Sequence, residues 1–211
     1  MIFSDEEELM SLKKYDVSRP HPWHGVSAGP DVPNVVTAYI EITTTDEIKY
    51  EVCKETGYLR LDRPFRASNL MPTIYGFIPR TYCGDRVGQL AGGIDGDGDP
   101  LDICILSERP ITKSDILVDA RVIGGIQMVD GGEADDKIIA VLPGCAAYGH
   151  AKDIQDVPAV VVERIQQYFL TYKQVPGKEN KVRVDVIYNR EQAHKVIEAS
   201  IADYNDLIAK G

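Results

Sequence analysis

Short segments in which apolar and polar side chains alternate dominate the first two thirds of the 211-residue chain. In VVTAYIEI, Val35–Ile42, and in EIKYEV, Glu47–Val52, every second residue is apolar. This period of two is typical of half-buried β-strands. The intervening TTTD predicts a hairpin, and a turn at KETG followed by YLRLDR predicts a third strand, so that three consecutive strands form a meander. Its polar face would carry Glu41, Lys49, Glu51 and Arg63.

Further strands are predicted, and they are followed by helices. The strand segments are Ile74–Pro79, Leu101–Leu106, Ile116–Val129 and Lys137–Pro143. After Pro143 the period becomes helical: Asp156 is a suitable N-cap with Pro158 in the first turn, and the apolar face would contain Val161, Ile165, Tyr168 and Tyr172. Asn189 would cap a last helix that buries Ala193, Ile197, Ile201, Tyr204 and Ile208.

A short helix is also predicted near the start of the chain, from about Asp5, because Ser4 and Glu7 have the spacing of a capping box. The order of strands first and helices last indicates an α+β fold, mainly β. About five strands avoid open edges most simply by closing into a small antiparallel barrel.

Composition limits the class of protein. A chain of 211 residues with 44% hydrophobic residues suits one domain over residues 1–211. Its apolar runs are far shorter than the ~20 residues of a membrane span, and a secretory signal is not recognisable. Four widely spaced cysteines without CxxC pairs predict reduced thiols and a cytoplasmic location. A net charge of −10 argues against nucleic-acid and membrane partners.

The segment DGDGDPLD, Asp95–Asp102, contains four carboxylates and no Lys or Arg. Two like charges ~4 Å apart repel by roughly 4 kcal/mol near a protein surface, so a compensating cation is expected. A solvated turn is the alternative, because Asp and Gly both tolerate left-handed conformations. An EF-hand calcium loop is disfavoured, since Pro100 stands where the loop needs glycine and Leu106 where it needs a bidentate glutamate.

A second acidic segment, MVDGGEADDK, also follows an apolar strand. Two acidic strand ends indicate a site for several hard divalent cations. Lys49, Arg63, Lys137 and Lys173 would add the positive charge that phosphoryl transfer requires on the departing group. The main alternative is a non-enzymatic OB-type binding module, but such modules usually present aromatic side chains in a basic groove.

DGDPLD resembles the D-x-D-P-x-D signature of the family I soluble inorganic pyrophosphatases. Further blocks follow in the family's order between about Asp31 and Lys173: IEI, IKYEV, KETGYLRLDR, YGFIP, DGGEADDKIIAV, KDIQDVP and YFLTYK. The resemblance implies a five-stranded OB-like antiparallel barrel with flanking helices. It implies hydrolysis of pyrophosphate to two orthophosphates with several Mg²⁺ ions, Mn²⁺ being a substitute. It also implies a homo-oligomer.

The same resemblance implies a role for individual residues. The metal ligands would be Asp97, Asp102, Asp130, Asp135 and Glu41. The substrate would be held by Lys49, Glu51, Arg63, Tyr75, Lys137, Tyr172 and Lys173. Asp99 would accept a proton from a metal-bridging water. Met71 departs from the family pattern, since many relatives have a tyrosine there, and Asp95 has no assigned role.

Overall fold

The computed structural model describes residues 19–66 and 68–210. Its strands are β1 Val35–Ile42, β2 Ile48–Val52, β3 Leu59–Pro64, β4 Ile74–Phe77, β5 Asp102–Leu106, β6 Ile116–Asp130, β7 Glu133–Ala134, β8 Lys137–Val141 and β9 Val182–Asn189. Its helices are α1 Asp85–Leu90, α2 Ala159–Thr171 and α3 Arg190–Lys210, with a 3₁₀ turn at Ile154–Asp156. The helix predicted from Asp5 lies outside the described residues.

Five strands close into a ring in the order β1, β4, β5, β8, β6, with β6 pairing back onto β1. This ring confirms the α+β fold, mainly β, with a five-stranded OB-like barrel. The prediction that the barrel is antiparallel throughout is wrong at one pair, because β5 and β8 are parallel. Strand direction cannot alternate at every step around a closed ring with an odd number of members, so one neighbouring pair must be parallel.

The predicted meander is also wrong at its first step. β1 pairs with β4 along one edge and with β6 along the other, which leaves no edge for β2. The β2–β3 hairpin itself is confirmed, but it forms a separate two-stranded sheet. Its register places Lys49 opposite Arg63.

Both faces of the second half of β1 are buried, so the alternation predicted there fails. Tyr39 packs in a cluster with Trp23, Val52 and Phe77, and Glu41 is only 6% exposed. Glu41 Oε1 accepts a hydrogen bond from Val52 N at 2.7 Å. This contact brings the end of β2 against the outer face of the barrel without strand pairing.

The barrel wall has an apolar core on each face, as alternate side chains of one strand point to opposite sides. Ile103 and Ile105 of β5 belong to a core that includes residues of α1 and α3. Cys104 and Leu106 belong to a second core that includes residues of α2. Across residues 19–66 and 68–210, none of the helices combines the length and the apolar character that crossing a bilayer would require.

α2 begins at Ala159, later than the N-cap predicted at Asp156. The Asp156 carboxylate accepts hydrogen bonds from Lys152 N and Asp153 N, so it closes the preceding 3₁₀ turn, and Pro158 is the N-cap of α2. Of the predicted apolar face, Ile165 and Tyr168 are buried, whereas Val161 and Tyr172 are partly exposed. The helix buries Val162 and Phe169 besides.

The cap predicted for α3 is confirmed, because Asn189 Oδ1 accepts a hydrogen bond from Gln192 N at 3.1 Å. The strand β9, which pairs with β6, was missed, so strands do not all precede helices. The buried face of α3 contains Ala193, Val196, Ile197, Ser200, Asp203 and Tyr204. Ile208 is 54% exposed, contrary to prediction, because α3 buries no residue beyond Tyr204.

Candidate active site

The two acidic segments lie together because their backbones are hydrogen-bonded to each other. Ala134 N donates to Asp95 O at 2.8 Å, and Asp97 N donates to Ala134 O at 3.3 Å. This short parallel bridge holds Asp97 beside the residue after Ala134, which is Asp135. Aspartates that are far apart in the sequence thereby reach the same end of the barrel.

The parallel pair β5 and β8 adds a second set of charged groups at this end. Both strands start there, and their first residues, Asp102 and Lys137, are register partners. Lys137 has a side chain only 2% exposed, and its Nζ forms ion pairs with both Asp102 and Asp135. A ring of five strands must contain a parallel pair. In this barrel that pair, β5 and β8, places the buried Lys137 in contact with Asp102 and Asp135, in a cavity that Asp97 also lines.

A cavity of about 380 Å³ opens around these groups. The predicted residues that line it are Lys49, Arg63, Tyr75, Asp97, Asp99, Asp102, Asp130, Asp135, Lys137, Tyr172 and Lys173. Glu41 and Glu51 line a smaller cavity of about 70 Å³. The two cavities share Lys49, Tyr75, Asp99 and Asp102 as wall residues. The structure thus brings all the sequence-predicted site residues into two adjoining cavities.

Negative charge is only partly compensated inside the larger cavity. Burial would lower the pKa of Lys137, but the charges of Asp102 and Asp135 outweigh it and raise that pKa well above its ordinary value. Burial also opposes ionisation of Asp135, yet the Lys137 ammonium keeps the pKa of Asp135 below its usual value. Burial, followed by the charge of Asp135, raises the pKa of Asp97, and burial raises that of Asp102. One ammonium group is too little positive charge for the three partly buried carboxylates Asp97, Asp102 and Asp135.

The donor set fits a hard divalent cation. Carboxylate oxygens are the ligands that Mg²⁺, Mn²⁺ and Ca²⁺ prefer, and the raised pKa of Asp97 marks charge that a cation would stabilise. In the described part of the chain, no three potential ligand side chains form a ready-made metal-binding group. Instead, Lys137 bridges Asp102 and Asp135, so a cation held by these carboxylates would have to replace part of their contact with the ammonium group.

Asp99 lies at the boundary between the two cavities and lines both. Its backbone N donates to Asp97 Oδ1 at 3.0 Å, which fixes the turn between the two aspartates. Its carboxylate forms an ion pair with Lys54, and Lys54 Nζ lies 5.9 Å from the centre of the Trp23 ring. Sequence reasoning missed Lys54, because a single lysine in a turn, here KETG, looks like a solvated surface charge.

The remaining cations are held by acidic neighbours at the cavity rim. Lys49 Nζ lies 3.0 Å from Glu51 Oε2 and 3.3 Å from Asp62 Oδ2. Arg63 also contacts Asp62, at 2.5 Å. Close to the end of α2, Lys173 forms an ion pair with Asp130. These pairs hold flexible side chains at the rim, and partial exposure leaves their charge available to an anion.

Aromatic and apolar groups form the rest of the wall. Tyr172 follows α2 directly, its ring 5.7 Å from that of Phe169, in an edge-on arrangement. Burial raises the pKa of Tyr75 well above its ordinary value, so its hydroxyl stays protonated and can donate. Met71 is 3% exposed and lines the larger cavity, where it presents a thioether and no hydroxyl.

Glu133 and Asp95, two acidic residues without a predicted role, differ in whether their side chains line the cavity. Glu133 lines the larger cavity but was given no role, although it lies within the second acidic segment. Asp95 is exposed, and its contribution to the site is the backbone carbonyl that accepts from Ala134 N.

The chain is similar to known proteins over most of its length. Residues 38–205 match the family model described as inorganic pyrophosphatase. An inorganic pyrophosphatase of Chlamydia muridarum is 47% identical over 207 residues, covering 93% of this chain and 99% of the relative. A soluble inorganic pyrophosphatase of Zea mays is 36% identical over 204 residues, covering 97% and 88%. The crystal structure of an inorganic pyrophosphatase from Thermus thermophilus matches with a TM-score of 0.76 and 32% identity, covering 89% and 99%.

The five-stranded barrel, the charged residues that line the cavity and the sequence similarity all indicate the same family. The chain therefore belongs to the inorganic pyrophosphatase family, whose members are enzymes that hydrolyse pyrophosphate.

Proposed function

We propose that the larger cavity hydrolyses pyrophosphate to two orthophosphates in a reaction that depends on Mg²⁺, with Mn²⁺ as a substitute. The observation that carries the proposal is the meeting of Asp97, Asp102 and Asp135 around one buried lysine, in a cavity that also receives cations from β2, β3 and the end of α2. Carboxylates alone would repel a polyanion. Carboxylates with bound dications and surrounding ammonium and guanidinium groups attract it.

Two groups of side chains would bind the phosphates. Lys49 and Arg63 lie side by side on the β2–β3 hairpin, with Glu51 beside Lys49. Tyr172 and Lys173 approach from the end of α2, where Lys173 Nζ lies 5.2 Å from the centre of the Tyr172 ring. Cations from two different elements of the fold suit an anion with two charged ends, because each phosphate can be neutralised separately. Lys137 and the Tyr75 hydroxyl complete the set from the cavity floor.

The metal ligands would be Asp97, Asp102 and Asp135 for the tighter sites, Asp130 for a further site and Glu41 in the smaller cavity. When bound, divalent cations neutralise phosphate oxygens and lower the pKa of water. Glu41 departs from an ionised ligand in the free protein, because burial raises its pKa to about 8. A cation nearby would restore its ionised form.

Asp99 would act as the proton acceptor for the attacking water. Its position supports this role, because it lines both cavities and its side chain is 43% exposed, so it can reach a water inside the site. Its backbone is fixed by Asp97 Oδ1 and by Cys83 N. A general base needs such fixed geometry before it needs a suitable pKa.

We also propose that residues 1–211 form one domain that assembles into a homo-oligomer in the cytoplasm, with no nucleic-acid or membrane partner. Exposed apolar side chains such as Leu117 and Val186 support contact between copies. Free thiols at all four cysteines support a reducing compartment. The net charge of −10 disfavours polyanionic partners.

The proposal is tested by measuring phosphate release from pyrophosphate with Mg²⁺ and with a chelator, on the purified chain and on Asp99→Asn. We expect metal-dependent release by the wild type, and a loss of about 10²- to 10⁴-fold in kcat for the variant, the usual contribution of a general base. Mg²⁺ affinity, measured by calorimetry, should change little. Asp185→Asn, which removes an exposed carboxylate paired with Arg183 on β9, is the matched control.

A folded wild type without metal-dependent release would refute the function. Near-normal turnover by Asp99→Asn would remove Asp99 from the base role and leave the function intact.

A further inference from the structure

Asp203 of α3 is a buried carboxylate that caps a different helix. Its side chain is 4% exposed, and its Oδ2 accepts hydrogen bonds from Gly84 N at 3.2 Å, Arg86 N at 3.0 Å and Val87 N at 3.2 Å. Oδ1 accepts from Arg86 Nη1 at 2.9 Å. The N-cap residue of α1 is Gly84, which has no side chain to accept these N–H groups. Asp203 therefore supplies the cap across more than one hundred residues of sequence.

The segment Gly84–Val87, which Asp203 caps, is connected through Cys83 to the active-site loop Asp95–Asp102. Cys83, the residue before Gly84, donates its N–H to Asp99 O at 2.8 Å and accepts from Gly98 N at 3.0 Å. The contact is close, because a Cβ added to Gly96 would lie 2.2 Å from Cys83 O. Any shift of the Cys83 backbone is thus passed directly to the loop that carries Asp99.

α3 anchors this segment at a second point, where Ser200 O accepts from Tyr82 N at 3.0 Å. Ser200 and Asp203 are the polar members of an otherwise apolar and aromatic buried face. Leaving a buried N–H without an acceptor is unfavourable, so the Gly84–Val87 backbone would rearrange if the Asp203 carboxylate were removed.

We propose that Asp203 is a positioning residue of the hydrolytic site: through Gly84 and Cys83 it sets the place of Asp99, although it touches neither substrate nor metal. This inference rests on the proposed role of Asp99. It makes the C-terminal helix part of the active-site framework. A displacement of about 1 Å at a reacting group can reduce turnover by about 100-fold, so a cap that fixes this backbone has a direct catalytic consequence.

Asp206, one turn further along α3, provides a matched control. It also pairs with Arg86, its Oδ2 lying 2.8 Å from Nη1, but its side chain is 51% exposed and accepts no backbone N–H among the described hydrogen bonds. Removing Asp206 subtracts the same charge from the same helix and leaves the cap in place.

The experiment compares Asp203→Ala, Asp203→Asn and Asp206→Ala with the wild type, each well below its own melting temperature. It measures kcat and KM for Mg²⁺-dependent pyrophosphate hydrolysis, and amide hydrogen exchange at Cys83 and Gly98. For Asp203→Ala we expect kcat to fall by about tenfold or more with KM within about twofold, and exchange at both amides to accelerate. Asp203→Asn keeps an acceptor oxygen and should recover most of the lost kcat. Asp206→Ala should match the wild type.

Unchanged kcat in Asp203→Ala, or unchanged exchange at Cys83 and Gly98, would overturn the proposal, as would an equal loss of kcat in Asp206→Ala. If Asp203→Ala does not fold, Asp203→Ser, whose hydroxyl is too short to reach all three amides, takes its place with the same expectations. An inactive wild type would refute the hydrolytic function, whereas the exchange data would still test whether Asp203 holds the loop.

Discussion

Replacement of Lys137 by methionine tests the electrostatic balance of the cavity. The substitution keeps a side chain of similar shape and removes the only cation in direct contact with Asp102 and Asp135 among the described residues. Removing one partner of a buried ion pair typically costs about 3 to 5 kcal/mol. The carboxylate side chains remain 21% and 13% exposed, so water still screens them in part and we expect a value near the lower end, about 3 kcal/mol.

A loss of that size should be visible in thermal unfolding. For a chain of this length, each kcal/mol lowers the melting temperature by about 2 to 4 °C, so Lys137→Met should melt about 6 to 12 °C below the wild type in the presence of a chelator. Without the ammonium group, Asp102 and Asp135 bind protons more readily in the folded than in the unfolded state. The difference in stability between Lys137→Met and the wild type should therefore shrink as the pH falls from about 7 towards 4. Added Mg²⁺ should also reduce it, since a dication replaces the missing charge.

Lys195→Met is the control, because Lys195 is 55% exposed and, among residues 19–66 and 68–210, pairs only with Glu191 of the same helix. Such a pair contributes about 0.3 to 0.5 kcal/mol. If Lys137→Met melts within about 2 °C of the wild type in chelator, or if its loss equals that of Lys195→Met, the cavity carboxylates do not depend on Lys137 and the reasoning is wrong.

Three further outcomes are expected. Arg63→Ala, on the exposed hairpin, should raise KM for pyrophosphate about tenfold or more through the loss of a charged hydrogen bond, with an unchanged melting temperature; a normal KM would exclude Arg63 from substrate binding. Tyr188→Phe removes the hydroxyl that lies 2.9 Å from Asp136 Oδ2 and should lower the free energy of unfolding in urea by about 1 to 3 kcal/mol; wild-type stability would show that Asp136 has another donor. Burial, and then the charge of His21, lower the pKa of His24, so the folded state binds fewer protons than the unfolded state and stability should fall as the pH drops through and below the ordinary imidazole range. His24→Gln should weaken this dependence, and an unchanged acid profile would contradict it.

The strands show which part of the fold was readable from the sequence. The strands predicted at Val35–Ile42 and Leu101–Leu106 match β1 and β5 almost to the residue, because the residue pattern along a strand is a local property. The partner of each strand was not readable. Adjacent segments suggested that β1 pairs with β2, whereas β4 and β6 occupy both of its edges.

In the candidate site, too, some features could be predicted from the sequence and others were visible only in the structure. The residue types needed for a polyanion and its metals were visible as acidic segments and scattered cations, and the structure brings them into adjoining cavities. Lys54 and Asp203 were missed, because a single charged residue in a turn or on a helix looks like a solvated one until its neighbours are known. For Asp203 one signal existed: it falls on the buried face of α3, three residues after Ser200.

What the sequence determined by itself was the set of local elements and the chemical character of the site, since periodicity, caps and clusters of charge depend on residues close together in the chain. The tertiary structure decided which strand edges meet, which pair is parallel and therefore which end of the barrel holds Asp102 and Lys137 together. It also decided that Glu41 is buried and that Asp203 caps a helix of a distant segment. These outcomes depend on backbone hydrogen bonds between distant segments, and a local pattern records which face of an element is buried but not what covers it.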